Sequence, residues 1–262
     1  MAVAVSGGKD SAALLYSLDK LAKPVGAELV PVLIDEGIAG YRSEAVKCAQ
    51  ALCEQMGYSL QLFSYKELVG TTMDDAMRAR DQMPAGQKGT FTSCSFCGVW
   101  RRKGFEHAAK AVGATSLATG HNLDDAIQTF LMNLLRGEPN RDFSLGTNEP
   151  LAGQTRRLKP LLYCPERECA LYAELNNLPY YRGECPYASE GFRQPVKAFL
   201  NDTENQRPGV KFALLKSYLE YERSSSSKTL PLLVECAHCG DPTTGTSCRA
   251  CQYTRVLGVT SG

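Results

Sequence analysis

The sequence predicts an α/β protein, a parallel sheet covered by helices on both faces, followed by a small cysteine-rich tail. Three observations point there. Short apolar runs alternate with stretches of helical spacing, Gly- or Asp-containing junctions follow the runs, and residues 231–262 gather four cysteines in two Cys-x-x-Cys pairs.

The 262 residues, 44% of them hydrophobic, can bury a full core without staples. A net charge of +1 gives no global push toward nucleic acid. Any RNA contact therefore rests on local clusters such as Arg101-Arg102-Lys103 and Arg156-Arg157-Leu158-Lys159. No apolar run approaches the roughly 18 to 20 residues that span a bilayer, and the N-terminus reaches Gly-Gly-Lys too soon for a signal peptide. The expectation is a cytoplasmic protein with no membrane association. The eleven cysteines are odd in number and partly in Cys-x-x-Cys pairs, which favours metal or sulfur chemistry in a reducing compartment over a disulfide framework.

Along the chain, Ala2 to Val5 reads as a strand ending in Ser-Gly-Gly, and Ser11 to Leu21 shows helical spacing through Leu14, Leu15, Leu18 and Leu21. Glu28 to Ile34 is a second strand ending at Asp35-Glu36-Gly37, and a helix from about Ser43 to Met56 closes at Gly57. Ser59 to Tyr65 is a third strand, with a helix-prone stretch from about Lys66. The polar segment Asp81 to Gly89 reads as a mobile loop leading into Cys94-Ser95-Phe96-Cys97. A helix follows from roughly Gly98 to Val112, then a strand at Ser116 to Thr119 and a helix from about Leu123 to Leu135. Past Gly137 a Pro/Gly/Asn-containing loop intervenes, Pro165 opens a helix to about Asn176, Tyr180 to Phe192 is irregular, and Val210 to Tyr221 is a closing helix. This divides the chain into a main domain over 1–222, a Ser-rich linker over 223–230 and a tail over 231–262. In such a sheet ligands belong at the carboxyl ends of the strands, where Ser6, Asp35 and Gly120-His121 would gather.

Ser6-Gly7-Gly8-Lys9-Asp10-Ser11, between a buried strand and a helix, suits phosphate. Glycines admit backbone N–H groups to phosphate oxygens, the helix N-terminus adds positive potential, and Lys9 adds a full charge. It has neither Walker A nor dinucleotide-fingerprint spacing. Gly-Gly alone would be an ordinary turn; both serines, Lys9 and Asp10 in this order favour nucleotide binding. The segment resembles the signature of the PP-loop ATP pyrophosphatase superfamily, whose members adenylate a carbonyl oxygen and release pyrophosphate. That resemblance implies a Rossmann-like PP-loop domain that uses ATP, with Lys9 on phosphate, Asp10 helping to place Mg²⁺ and Asp35 near the adenosine.

Gly120-His121-Asn122-Leu123-Asp124-Asp125 again joins a strand to a helix, where a carboxylate caps the helix or holds a cation. It resembles the Gly-His-Asn-x-Asp-Asp stretch of PP-loop tRNA-modifying enzymes, which brings His121 and Asp125 into the expected site ahead of Asp124. Cys94 and Cys97 are expected just before a helix, a setting that favours thiolate. Their spacing alone admits a redox pair, half of a zinc site or coincidence. Cys185, in Gly183-Glu184-Cys185-Pro186-Tyr187, is the next cysteine in a comparable loop, and three thiolates suit an iron–sulfur cluster with an open iron better than a closed zinc site.

Cys94-x-x-Cys97-Gly98 with Arg101-Arg102 behind it, the His121-to-Asp125 stretch and Cys185-Pro186-Tyr187 resemble, in order, the tRNA 2-thiouridine synthetases of archaeal and eukaryotic cytosolic type. The resemblance implies a [4Fe-4S] cluster on Cys94, Cys97 and Cys185, with a persulfide or disulfide route as the alternative. It also implies tRNA as substrate, a homodimer, and a sulfur donor that is free sulfide or a thiocarboxylated ubiquitin-like protein. ATP would adenylate the C2 oxygen of a uridine and sulfur would then displace AMP. Arg101 is read as neutralising charge near the cluster, and Arg101, Arg102, Lys103, Arg136, Arg156 and Arg157 as candidates for tRNA phosphates. Cys48, Cys53, Cys164 and Cys169 are read as structural.

In the tail, Cys236, Cys239, Cys248 and Cys251 have the layout of a zinc ribbon, with Zn²⁺ supplying the folding energy that so short a segment lacks. Members of the family usually carry a further cysteine-rich finger ahead of the phosphate loop, whereas this sequence opens at the first strand. Rival expectations are a tRNA 2-thiocytidine synthetase, a PP-loop amide- or guanidine-forming ligase without a cluster, and a non-catalytic zinc protein that binds RNA.

Overall fold

The computed structural model describes residues 1–84, 91–138, 154–224 and 233–259. The loop after Gly137, much of the segment before Cys94 and nearly all of the 223–230 linker lie outside them.

Five parallel strands, β1 (Ala2–Ala4), β2 (Val30–Asp35), β3 (Gln61–Ser64), β4 (Ser116–Ala118) and β5 (Arg156–Leu158), form one sheet in the order β3-β2-β1-β4-β5. The chain builds outward from β1 to one edge, then returns to its other side, so the topological switch falls between β1 and β4. Pro31 is tolerated inside β2. Val30 N donates to Met1 O and Val5 N to Val32 O, so Pro31 turns its missing donor toward β3, where pairing starts only at Val32↔Gln61.

Alternation along the strands splits the core. Ala2, Ala4, Val32, Ile34 and Leu117 face one layer, made by α3 (Tyr65–Val69), α4 (Met73–Asp81) and α5 (Ser93–Ala111). Val3, Val5, Leu33 and Ala118 face the other, made by α1 (Lys9–Ala22), α2 (Arg42–Met56) and α7 (Glu166–Leu175). A third cluster joins α6 (Leu123–Leu135) to α8 (Arg193–Gln206) and α9 (Val210–Ser224). The tail adds a two-stranded antiparallel pair, β6 (Val234–Glu235) and β7 (Pro242–Thr243), and α10 (Arg249–Val256).

Three departures from the expected elements have local causes. Helix α5 begins at Ser93 because Thr92 caps it, its side chain accepting from Ser95 N; Cys94 and Cys97 therefore sit within the first two turns, not ahead of the helix. Strand β5 is made from Arg156-Arg157-Leu158, where charge masks a short edge strand. Helix α8 fills a stretch whose hydrophobic spacing assigns nothing, with Val196 and Leu200 as its buried anchors.

Candidate functional site

The turn after β1 is shaped by its own side chains. Ser11 Oγ accepts from Ser6 N at 3.0 Å and donates to Gly8 O at 2.8 Å, while Ser6 Oγ lies 3.1 Å from Ser11 Oγ. Gly7 has φ +83°, and a Cβ there would fall 2.0 Å from Ala45 O of α2, so no other residue fits. Gly8 is the N-cap of α1 and supplies no side-chain cap, which leaves the first-turn N–H groups open toward the turn. Across the switch point, a Cβ on Gly120 would lie 3.1 Å from Asp10 C and Ser11 N, so a side chain there would push the loops after β1 and β4 apart by a few tenths of an ångström.

Lys9 Nζ lies 3.0 Å from Asp10 Oδ2 and 2.9 Å from Glu166 Oε1. Burial opposes its charge, but Asp10 and Glu166 outweigh burial and hold the ammonium above its usual range. Glu166 also pairs with Lys197 at 2.8 Å, and its backbone N donates to Asp124 Oδ2 at 2.7 Å. Asn122 Nδ2 donates to Asp10 Oδ1 at 3.1 Å, and Asn122 and Asp125 form a reciprocal capping box on α6. Asp124 is buried and ion-paired with Lys211, whereas Asp125 stays partly open beside Arg193 at 3.6 Å. Burial raises the carboxyls of both Asp10 and Asp125, against the pull of Lys9 on the first and Arg193 on the second.

His121 is exposed to solvent within a wall crowded by protein atoms, its Nδ1 2.8 Å from Thr119 Oγ1. Burial by that wall, then the field of Lys159, Arg101, Arg193 and Arg157, holds the imidazole well below its usual range, so the ring is neutral. Burial likewise brings the Lys159 ammonium down to about 8, with Glu222 resisting. Asp35 ends β2, its Oδ1 accepting from Gly37 N at 2.8 Å.

Cys97 and Cys185 border the same apolar cluster, and a Cβ on Gly191, in the segment that follows Cys185, would lie 3.6 Å from Cys94 Sγ. Burial raises the Cys185 thiol, and the Tyr187 N–H opposes this. Arg101 Nη2 donates to Cys97 Sγ at 3.1 Å, and Tyr65 Oη donates to Cys97 O at 2.9 Å. The Cys185 segment is clamped to the start of α5: Glu190 takes Arg80 in two bonds of 2.7 and 3.0 Å and accepts Ser93 N at 3.1 Å. Tyr181, four residues before Cys185, donates its N–H to Gly7 O at 2.8 Å. Thiol segment and phosphate turn thus meet at the same end of the sheet.

That clamp makes an acid-stability prediction. Arg80 first, then Ser93, and against burial, lower Glu190 from 4.5 to about 2. A depressed carboxylate contributes stability that is complete above its unfolded value and is lost as pH falls through its folded value. Discounted for partial exposure, Glu190→Gln should cost about 1–2 kcal/mol near neutrality. Chemical denaturation of both proteins should show that difference shrinking between about pH 4.5 and pH 2. A difference independent of pH would disprove the clamp's ionic character.

In the tail, the sulfurs of Cys236, Cys239, Cys248 and Cys251 lie within 4.8 Å of one another, the only such group among the described residues able to close around a single ion. Burial opposes it, but the N–H groups of Cys248, His238 and Cys239 bring the Cys236 thiol down, while burial raises the thiols of Cys239 and Cys251. Of the basic candidates, Lys103 is ion-paired with Asp241, Arg101 is held by Glu36 and Cys97, Arg157 donates to Arg102 O at 3.3 Å, and Arg136 lies over the Phe192 ring at 5.6 Å. Cys53 and Cys169 are buried core residues; Cys48 and Cys164 are half-buried. Sequence motifs gave no signal for Glu36, Arg42, Glu166, Glu190 or Arg193, because each acts across a long stretch of chain or lies outside any recognisable pattern.

Fold and site together define an α/β protein of the phosphate-turn class, with the segment that leads to Cys185 tied to the turn. Residues 1–203 match the model of the PP-loop domain family. A probable sulfurtransferase of Methanocaldococcus jannaschii is 36% identical over 252 residues, covering 96% of this chain and 72% of its own. Cytoplasmic tRNA 2-thiolation protein 1 of Drosophila melanogaster is 37% identical over 255 residues, with the same coverage of 96% and 72%. Among solved structures, the U34-tRNA thiolase NcsA from Methanococcus maripaludis with its [4Fe-4S] cluster superposes with a TM-score of 0.82 at 31% identity, over 99% of this chain and 81% of that one. The chain belongs to the PP-loop family, in the group that contains the tRNA 2-thiolation proteins.

Proposed function

We propose that this protein is an ATP-dependent tRNA 2-thiouridine synthetase acting in the cytoplasm, with the wobble uridine as its target. The observation that carries the reading is the meeting of thiols and phosphate turn: Tyr181 N on Gly7 O, four residues from Cys185, and Arg101 on Cys97. The likeness to tRNA 2-thiolation proteins and to a U34-tRNA thiolase supports the substrate.

In the first step the C2 oxygen of uridine attacks the α-phosphorus of ATP, the bridging P–O bond breaks, and pyrophosphate leaves. Lys9 and the open N–H groups of the α1 N-terminus hold the phosphates. Asp10 and Asp125, both raised by burial, are the carboxylates that would hold Mg²⁺, which would supply positive charge against the phosphates. Neutral His121 can donate or accept a hydrogen bond without adding charge. In the second step sulfur bonds to C2 and AMP departs with the former oxygen, so a poor leaving group has become a good one. A [4Fe-4S] cluster on Cys94, Cys97 and Cys185 would supply an iron without a protein ligand to carry sulfide. The chemistry of the donor set fits: Cys97 and Cys185 border one cluster, Cys94 faces the segment after Cys185, and Arg101 lies beside Cys97 to balance negative sulfur. Sulfide itself or a thiocarboxylated ubiquitin-like protein would deliver the sulfur.

The test is anaerobic reconstitution followed by mass spectrometry of nucleosides from treated tRNA. The expected result is ATP-dependent 2-thiouridine in tRNA, lost in Cys185→Ser with ATP binding retained. A Cys185→Ser protein as active as the parent would remove the thiolation reading; no iron or labile sulfide at all would favour an amide-forming ligase.

A further inference from the structure

A buried carboxylate that no motif contains links the two halves of this site. Glu36, just past β2, is 4% exposed, and so is Arg42 of α2. Arg42 Nε is in ion-pair contact with Glu36 at 2.5 Å, while its Nη1 donates to Ser6 O at 3.0 Å and its Nη2 to Ile34 O at 2.8 Å. On the other side Arg101 reaches Glu36 with Nε at 3.1 Å and Nη2 at 2.8 Å, and the same Nη2 donates to Cys97 Sγ at 3.1 Å. A continuous chain of polar contacts therefore runs from the phosphate turn through Arg42, Glu36 and Arg101 to Cys97.

The geometry points to Glu36 as a positioning residue: its carboxylate aims the Arg101 guanidinium at Cys97 while anchoring Arg42 under the phosphate turn. Arg101 is about half exposed, and among the described residues Glu36 is the carboxylate ion-paired with it, which holds its planar fork across the sulfur. Two guanidinium groups share one carboxylate, and Glu36 Oε2 has no well-aligned hydrogen bond despite its burial. Ion-pair attraction in a dry setting is what keeps both arms in place. The polar contacts of the Glu36 carboxylate are with Arg42 and Arg101, so it acts on Cys97 through Arg101.

This rests on the cluster reading, and the experiment separates the two. Full-length protein reconstituted anaerobically is challenged with an excess of an Fe(II) chelator, and the rate of iron loss is followed together with ATP KM and thiolation kcat. Glu36→Gln should release iron about tenfold faster than the parent and lower kcat by about tenfold, with ATP KM rising only as far as the Arg42 arm under the phosphate turn is loosened. Arg101→Ala should release iron to the same extent with ATP KM unchanged. In iron release the double variant should be no worse than Arg101→Ala alone, because on the thiol side a residue acting through Arg101 has nothing left to position. Glu36→Asp keeps the charge beside Arg42 but shortens its reach to Arg101, and it serves if the glutamine variant fails to fold; it too should speed iron loss only while Arg101 is present. Iron-release rates that multiply in the double variant, or unchanged iron release in a folded Glu36 variant, would overturn the assignment. A parent protein that retains no iron would overturn the cluster reading, and this inference with it.

Discussion

Lys9→Ala is expected to lower ATP-dependent thiolation by about 10²–10³-fold, the loss seen when one preorganised charge or donor is removed from a developing transition state. In the folded protein Lys9 Nζ is held between Asp10 and Glu166, and those carboxylates keep it protonated. Phosphate oxygens are the one class of ligand for which that cation, the N-terminus of α1 and the turn's backbone N–H groups all point the same way. Alanine leaves Asp10 and Glu166 facing a polyanion without the charge between them, so repulsion adds to the lost attraction. Lys9 is about a quarter exposed and packs in no apolar cluster, so the fold should survive. Pyrophosphate release and 2-thiouridine formation, both tRNA-dependent, measure the effect. Activity within about threefold of the parent would show that Lys9 is a structural ion-pair partner and nothing more.

The sequence exposes the elements whose chemistry is local and hides those whose partners are distant. Ser6, Gly7, Gly8 and Ser11 could be read together because their hydrogen bonds close within five residues. The same holds for the Asn122–Asp125 capping box and for the paired tail cysteines. Glu166 carries no such mark. It lies 157 residues from Lys9, and only the docking of α7 against α1 brings them together. Arg80 and Glu190 are 110 residues apart and meet because Cys185's segment folds back over α5. Glu36 was legible as the end of a strand and nothing else, since its role depends on two arginines that approach from different layers.

Element boundaries followed the same rule. Gly57 ends α2 with φ +78°, as a glycine past a helical stretch should. Thr92 began α5 several residues before its apolar spacing did, because a cap acts through one side-chain bond and leaves no periodic trace. Strand β5 escaped notice for the opposite reason: two arginines on an edge strand look like a solvated surface until pairing with β4 is seen. Those arginines illustrate how composition misleads about partners. Lys103 and Arg101 look free in sequence, yet each is already paired within the protein.

We propose that the four tail cysteines hold Zn²⁺, and removing it is expected to unfold residues 233–259 and to loosen α5 with them. Strands β6 and β7 have two residues each and α10 has eight, too little to hold a fold by itself. In zinc-finger peptides the metal supplies about 10–16 kcal/mol of folding free energy, and four sulfurs within 4.8 Å of one another are the donor set that binds it. The tail is not an isolated appendage. The Tyr253 ring of α10 packs on Phe96 at 4.9 Å and on Phe91 at 5.7 Å, and Lys103 of α5 is ion-paired with Asp241. Phe96 stands between Cys94 and Cys97 on the helix, so a loss of the tail reaches the thiols through one buried side chain. Hydrogen exchange on a Cys239→Ser, Cys251→Ser variant should show protection lost over 233–259 and reduced over 93–100, with α1 unaffected. Unchanged exchange in 93–100 would mean that Phe96 is held by Trp100 and Phe91 alone and that the tail serves only its own surface.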